Sequence, residues 1–175
     1  FRMVGASAMT SAEKALLAAR GGLPGGRSGL QTPAEAEREF ARTLLQEGAR
    51  AAGIAGNCKG FVALQLGASE ARRQWPAASF AALGDRLWRE KGLCPVLLGS
   101  RAEQPLAEEY MRAAHGPCIT AVGRTDIAQL AGLLTHCRLL VTNDTGTMHL
   151  AAGLGVPCLA IFLATAQPWD TGPYL

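Results

Sequence analysis

The chain has 175 residues, an apolar fraction of 49% and a net charge of +3, which suits one α/β domain, or one domain with an appendage, able to bury a real core. The charge is small and dispersed, and no basic run alternates with aromatics, which argues against nucleic acid as a partner. No apolar run approaches the roughly 20 residues that span a bilayer, and no signal peptide is visible. Five cysteines, Cys58, Cys94, Cys118, Cys137 and Cys158, are widely spaced without a C-x-x-C pair. Four lie in or beside apolar segments, so they read as reduced core residues of a cytoplasmic protein. No His or Cys pair has the short spacing of a metal site, and none is expected.

Residues 1 to about 57 differ from the rest. Phe1–Gly5 reads as a short strand, and Thr10-Ser11-Ala12-Glu13 has capping-box spacing before a short amphipathic helix, Lys14 to Arg20. The stretch from Gly21 to Gly29 is rich in Gly and Pro and reads as a flexible loop. Thr32-Pro33-Ala34-Glu35 is a second capping signature, with Pro33 expected at the first helical position. It opens a helix to about Ala51, with Phe40, Leu44 and Leu45 on one face and Gly53 ending it. No chemistry is recognisable in this segment, which reads as a connector or flanking element.

From Phe61 the pattern is regular. Apolar runs at Phe61–Leu66, Pro95–Leu98, Pro117–Val122, Leu139–Thr142 and Val156–Leu163 alternate with helical stretches. The helices are expected over Pro76–Lys91, from Ala102 through His115, over Asp126–Cys137 and over 147–154. The Asp126–Cys137 stripe is Ile127, Leu130, Leu133 and Leu134. Short, continuously apolar strands alternating with helices imply a Rossmann-like, doubly wound parallel sheet covered on both faces. Ligands in such sheets bind outside the carboxyl ends of the strands.

Three turns at those ends stand out. The first is Gly67-Ala68-Ser69-Glu70-Ala71-Arg72-Arg73-Gln74-Trp75-Pro76, where small residues admit a ligand and two arginines can bind phosphate. Taken alone it reads rather as a solvated loop with exposed arginines and Trp75 packed beneath it. At the second, Glu103 opens a helix; an acid there complements the dipole, and at a strand end it can also grip ribose hydroxyls. The third is Val141-Thr142-Asn143-Asp144-Thr145-Gly146-Thr147-Met148-His149, a strand running into a helix N-terminus. Unpartnered first-turn amides and the macrodipole make such a turn an anion site. Gly146 admits a phosphate to the backbone, Thr145 and Thr147 offer hydroxyls, Asp144 suits sugar hydroxyls, and His149 lies about one turn on. The alternative is an ordinary turn with Asp144 as N-cap and His149 at the surface. No G-x-G-x-x-G or P-loop lysine pattern is present, so nicotinamide or flavin binding lacks its usual turn and any nucleotide is held another way.

Residues 61–175 resemble the C-terminal half of the glycosyltransferase family 9 enzymes, the ADP-heptose:lipopolysaccharide heptosyltransferases. The resemblance lies in Gly67-Ala68-Ser69 with Arg73-Gln74-Trp75-Pro76, and in Leu97-Leu98-Gly99-Ser100-Arg101-Ala102-Glu103. It continues in Gly123-Arg124-Thr125-Asp126-Ile127-Ala128-Gln129-Leu130-Ala131 and in Asn143-Asp144-Thr145-Gly146-Thr147-Met148-His149-Leu150-Ala151. It implies a GT-B arrangement, two Rossmann-like domains facing across a cleft, with residues 58–175 as the nucleotide-sugar domain. Residues 1–57 are then the end of an N-terminal domain and the interdomain connector. Further implications are that Ser69 and Arg73 contact the donor diphosphate, Glu103 the ribose, and Thr125 the adenine. Asp144 then meets the sugar, Thr145, Gly146 and Thr147 supply phosphate-binding amides, and His149 sits beside diphosphate and sugar. The expected reaction is inverting transfer of heptose from ADP-heptose to a lipopolysaccharide core acceptor, without a cofactor. Arg73 would stabilise the leaving group, and the general base would lie outside this chain. The resemblance implies a cytoplasmic location, compatible with peripheral contact at the inner membrane.

The chain departs from the family in three places. Arg73 stands where the family often has Lys, and Phe162-Leu163-Ala164-Thr165-Ala166 where it usually has Phe-Gly-Pro-Thr-Asp. Leu163 thus puts a side chain where backbone could meet the ligand, which implies an altered donor preference. The family's final helix is not found, and the start at Phe1 and the end at Gly172-Pro173-Tyr174-Leu175 suggest a piece of something longer. Two rival readings stay open. One is a related GT-B transferase or epimerase using another nucleotide-sugar; the other is a non-catalytic nucleotide-binding module.

Overall fold

The computed structural model describes residues 32–163. The strand and helix expected within residues 1–20, the loop at 21–29 and everything after Leu163 lie outside them. The described elements are α1 (Glu35–Ala51), β1 (Gly60–Gln65), α2 (Ala77–Lys91), β2 (Leu93–Leu98) and α3 (Gln104–Ala113). They continue with β3 (Ile119–Thr120), α4 (Ile127–Thr135), β4 (Cys137–Asn143), α5 (Gly146–Gly153) and β5 (Cys158–Ile161). The five strands form one sheet in the order β3-β2-β1-β4-β5, and every pairing is parallel.

The sequence explains the layering. All six residues of β2 and all four of β5 are buried, as expected for strands covered on both faces. One face packs Ala63, Val96, Leu98, Leu140 and Ala160 beneath α1, α4 and α5, through Leu44, Leu45, Leu133, Leu134, Met148 and Ala151. The other packs Val62, Leu64, Leu97, Val141 and Leu159 beneath α2 and α3, through Phe80, Leu83, Leu87, Ala107 and Tyr110. This is the doubly wound, Rossmann-like α/β sheet the alternating pattern implied. The chain leaves β1 for β2 on one side and returns from β3 to β4 on the other. The crevice between the carboxyl ends of β1 and β4 is therefore the topological switch point.

Helix α1, within the stretch that reads as a connector, covers this sheet directly. Two glycines let it approach. A Cβ on Gly132 of α4 would come 2.5 Å from the backbone oxygen of Glu37, and one on Gly48 2.6 Å from the Ile119 side chain. The capping box expected at Thr32 does not form: the N-cap is Ala34, with no side-chain hydrogen bond. Arg38 instead donates to the Pro33 carbonyl at 3.0 Å and pairs with Glu35, while Glu35 and Glu37 in the first turn complement the dipole.

The stripe expected on α4 is shortened. Leu133 and Leu134 are buried and Leu130 packs against the core, but Ile127 is 78% exposed. The reason is local. Asp126 is the N-cap, in a reciprocal capping box with Gln129, which puts Ile127 on the first helical residue, at the sheet's carboxyl edge. Leu163 is half-buried and packs against the cluster beneath α2 and α3.

Candidate functional site at the switch point

Asn143, the last residue of β4, organises the crevice. It is fully buried, and its side-chain amide donates to the carbonyls of Leu66 (2.8 Å) and Gly67 (3.0 Å). Its Oδ1 accepts from the Trp75 backbone amide at 2.9 Å. Both ends of the 67–75 loop are thus tied to the end of β4, with Trp75 set edge-on to Phe80 at 4.8 Å.

That tether brings Arg73 back over the turn after β4. Residues 71–73 form a single 3-10 turn, and the Arg73 guanidinium lies 3.7 Å from Asp144 Oδ2 and 3.4 Å from Glu70 Oε1. Asp144 is buried and Arg73 mostly so. Arg72 bonds Glu70 at 2.6 Å and, beside Arg73, holds that carboxyl below its ordinary value.

The turn itself differs from the ordinary alternative, because Thr145 and not Asp144 is the N-cap, and it makes no side-chain cap bond. Thr142 Oγ1 donates to the Asn143 carbonyl (2.7 Å), so at the 3.0 Å contact between the two hydroxyls Thr145 is the donor. Thr147 Oγ1 donates to Gln65 Oε1 at 3.3 Å. Both hydroxyl protons expected to serve a phosphate are therefore spent inside the protein. The first backbone amides of α5 have no partner within the helix and remain as donors that an anion can use. Gly146 is exposed, and a Cβ there would meet nothing within 4 Å, so the approach to those amides is open. His149 and Ser69 are exposed at the same edge.

Glu103 lies on the β2 side. Its Oε2 accepts from the Ser100 amide at 2.6 Å, completing a capping box, and its Oε1 accepts from Gln65 Nε2 at 3.1 Å. The carboxylate lies across Gly67, where a Cβ would overlap Oε1, and close to Gly99, where a Cβ would come 3.1 Å from Oε2. Glu103 therefore keeps its helix-start role and is at the same time tied across to the end of β1 through Gln65. Thr125 is half-buried just after the β3 end, beyond Gly123, whose amide donates to the Gly99 carbonyl at 2.8 Å. Among the described residues no group of three His, Cys, Asp or Glu side chains could hold a metal ion.

A family model described as glycosyltransferase family 9 (heptosyltransferase) matches residues 15–175. The chain belongs to glycosyltransferase family 9. Among curated relatives it is 39% identical over 89 residues to lipooligosaccharide heptosyltransferase 2 of Haemophilus ducreyi, covering 49% of this chain and 25% of that protein. It is 33% identical over 94 residues to lipopolysaccharide heptosyltransferase 2 of Salmonella typhimurium, covering 51% and 27%. The fold is similar to a structure described as E. coli ADP-heptose lps heptosyltransferase II, with a TM-score of 0.67 at 27% identity, covering 82% of this chain and 41% of that one. A family 9 glycosyltransferase from Veillonella parvula gives a TM-score of 0.60 at 27% identity, over 70% and 34%. The chain thus spans about a quarter of the first of these relatives' length, and less than half of either solved structure.

Within this family 9 domain, the three sequence-marked turns converge on one carboxyl edge. The 67–75 loop and the β4 turn meet through Arg73 and Asp144; Glu103 joins them through Gln65. Two residues given no role from sequence hold the arrangement together, Gln65 and Asn143. Each interrupts or ends an otherwise apolar run on a buried strand. That was the available signal, since a buried polar side chain must find partners.

Proposed function

We propose that this chain supplies the donor-binding side of an inverting heptosyltransferase that moves heptose from ADP-heptose to a lipopolysaccharide core acceptor. The observation that carries the reading is the placement of Arg73 against Asp144, two residues ahead of the open amides of α5. One cation and a helix N-terminus suit a diphosphate. The flanking acids, Asp144 and Glu103, repel phosphate but accept hydrogen bonds from hydroxyls, which assigns Asp144 to the transferred sugar and Glu103 to the ribose. Ser69 adds a hydroxyl at the diphosphate, Thr125 lies beside the adenine, and His149 sits by the diphosphate and sugar.

As the bond from the anomeric carbon to the diphosphate breaks, negative charge grows on the leaving ADP. Arg73 and the amides of residues 145–147 stabilise that charge more than they stabilise the bound donor, which lowers the barrier. The base that deprotonates the acceptor hydroxyl belongs to the rest of the enzyme, as do the acceptor site and any contact with the inner membrane. The packing of α1 on this sheet supports a boundary with that acceptor side ahead of α1 rather than at residue 57. Leu163 packs against the core, so the side chain standing in place of the family's glycine does not by itself argue against an ADP-heptose donor.

Calorimetric titration of the chain with ADP, UDP and NAD tests this. ADP is expected to bind most tightly, and the chain alone is expected to turn over little donor. Tightest binding to UDP would point to another nucleotide-sugar, and no binding to any of the three would point to a non-catalytic module.

A further inference from the structure

Gln65 is a polar residue in a place that packing alone does not require. It ends the central strand β1, in register with Leu98 on one side and Thr142 on the other, and is only 6% exposed. Its amide has a fixed sense. Nε2 donates to Glu103 Oε1, and Oε1 accepts from Thr147. The flipped amide would set two acceptor oxygens against each other at Glu103. Burial without both partners would be costly, so the side chain holds whatever they hold.

Those partners belong to the two halves of the donor site proposed above, the ribose acid and the phosphate-binding turn. We infer that Gln65 is a positioning residue that locks the Glu103 carboxylate to the start of α5 and so sets the distance between ribose and diphosphate subsites. The inference rests on the donor reading. Among the described residues the Glu103 carboxylate is anchored by Gln65 and by the Ser100 amide. Gly67 leaves room for the carboxylate but does not hold it. Removing the Gln65 amide leaves the acid tethered on one oxygen and free to turn away from a ribose hydroxyl. Thr147 then contributes to ribose recognition although it stands on the phosphate side.

The test compares calorimetric affinities for ADP, 2′-deoxy-ADP and 3′-deoxy-ADP in the parent chain and in Gln65→Met, which keeps the volume and removes both bonds. The parent should prefer ADP over one deoxy nucleotide by about tenfold, the worth of a charged hydrogen bond. Gln65→Met should reduce that preference to about twofold and leave pyrophosphate affinity nearly unchanged, which a merely structural role would not do. Retention of the full preference in Gln65→Met overturns the inference and leaves the donor reading intact. A parent that binds ADP without preferring it over either deoxy form overturns it too. A parent that binds no ADP overturns both. If Gln65→Met does not fold, Thr147→Val decides: the ribose preference should fall, and an unchanged preference rejects the coupling.

Discussion

At the scale of single residues, the site separates groups that bind from groups that hold. Asp144 is buried and Arg73 only about a fifth exposed, so at 3.7 Å the desolvation of the two charges offsets most of their attraction and the pair adds little net stability. Arg73→Ala and Asp144→Ala should therefore each weaken ADP-sugar binding by about tenfold or more, the loss of a charge-assisted contact. Their melting temperatures should stay within a few degrees of the parent. Simple unfolding of either variant would assign that residue a structural role instead. Asn143→Ala should behave differently, because the amide makes three buried hydrogen bonds. Its loss should cost about 3 kcal/mol in urea denaturation, at about 1 kcal/mol per bond, and should release Arg73 from the turn as well. Gly146→Ala separates the two effects most cleanly. Space is open at that Cβ, so stability should hold or rise slightly, while a methyl over the α5 amides should impair diphosphate binding. An unimpaired affinity in that variant would place the phosphate elsewhere.

At the scale of elements, α1 shows both what packing demands and what periodicity conceals. Gly132→Ala gains helix propensity of about 1 kcal/mol, yet its Cβ meets backbone of α1 rather than a movable side chain. Overpacking against backbone costs about 1–3 kcal/mol, so net destabilisation is expected in urea denaturation. A stabilised variant would mean that α1 does not dock on α4 as described. The α1 face of Leu44 and Leu45 was legible, because burial follows the helical period. Its N-cap was not, since Thr32-x-x-Glu35 matches a capping box in spacing while the Arg38 bonds to Pro33 and Glu35 win locally. Ile127 misled for a related reason: it continues the stripe in sequence but falls on the first residue past the cap, where no neighbour covers it. The strands were legible as apolar runs, although the second begins at Leu93 rather than Pro95 and the third keeps only Ile119–Thr120 of the run from Pro117 to Val122, and so was the clustering of turns at the carboxyl edge. The contacts linking those turns were not. Sequence spacing carries no information on which buried amide reaches across to which strand, as Gln65 and Asn143 do.

At the scale of the whole molecule, the two-faced sheet closes over its thiols, and this has a thermodynamic consequence. Burial pushes the Cys94, Cys137 and Cys158 thiols up to about 12, because an apolar interior disfavours the thiolate. The same burial raises the Tyr110 hydroxyl above its ordinary value. Below the ordinary thiol value both folded and unfolded chains keep these protons, so the folded state is unaffected by pH there. Above it the unfolded chain loses its thiol protons while the folded chain retains them. The unfolded state then binds fewer protons, and stability falls as pH rises. Each thiol contributes about 1.4 kcal/mol per pH unit between its unfolded and folded values. Three of them together give a slope of roughly 4 kcal/mol per pH unit, steep against the 5–15 kcal/mol of a typical domain. Denaturation monitored by circular dichroism should show stability flat near neutrality and collapsing within about two pH units above pH 9. Replacing Cys137 with Ala should shallow the alkaline slope by about a third, even as the cavity lowers stability at pH 7. A slope left unchanged by that substitution would mean that the thiol ionises without unfolding the sheet around it.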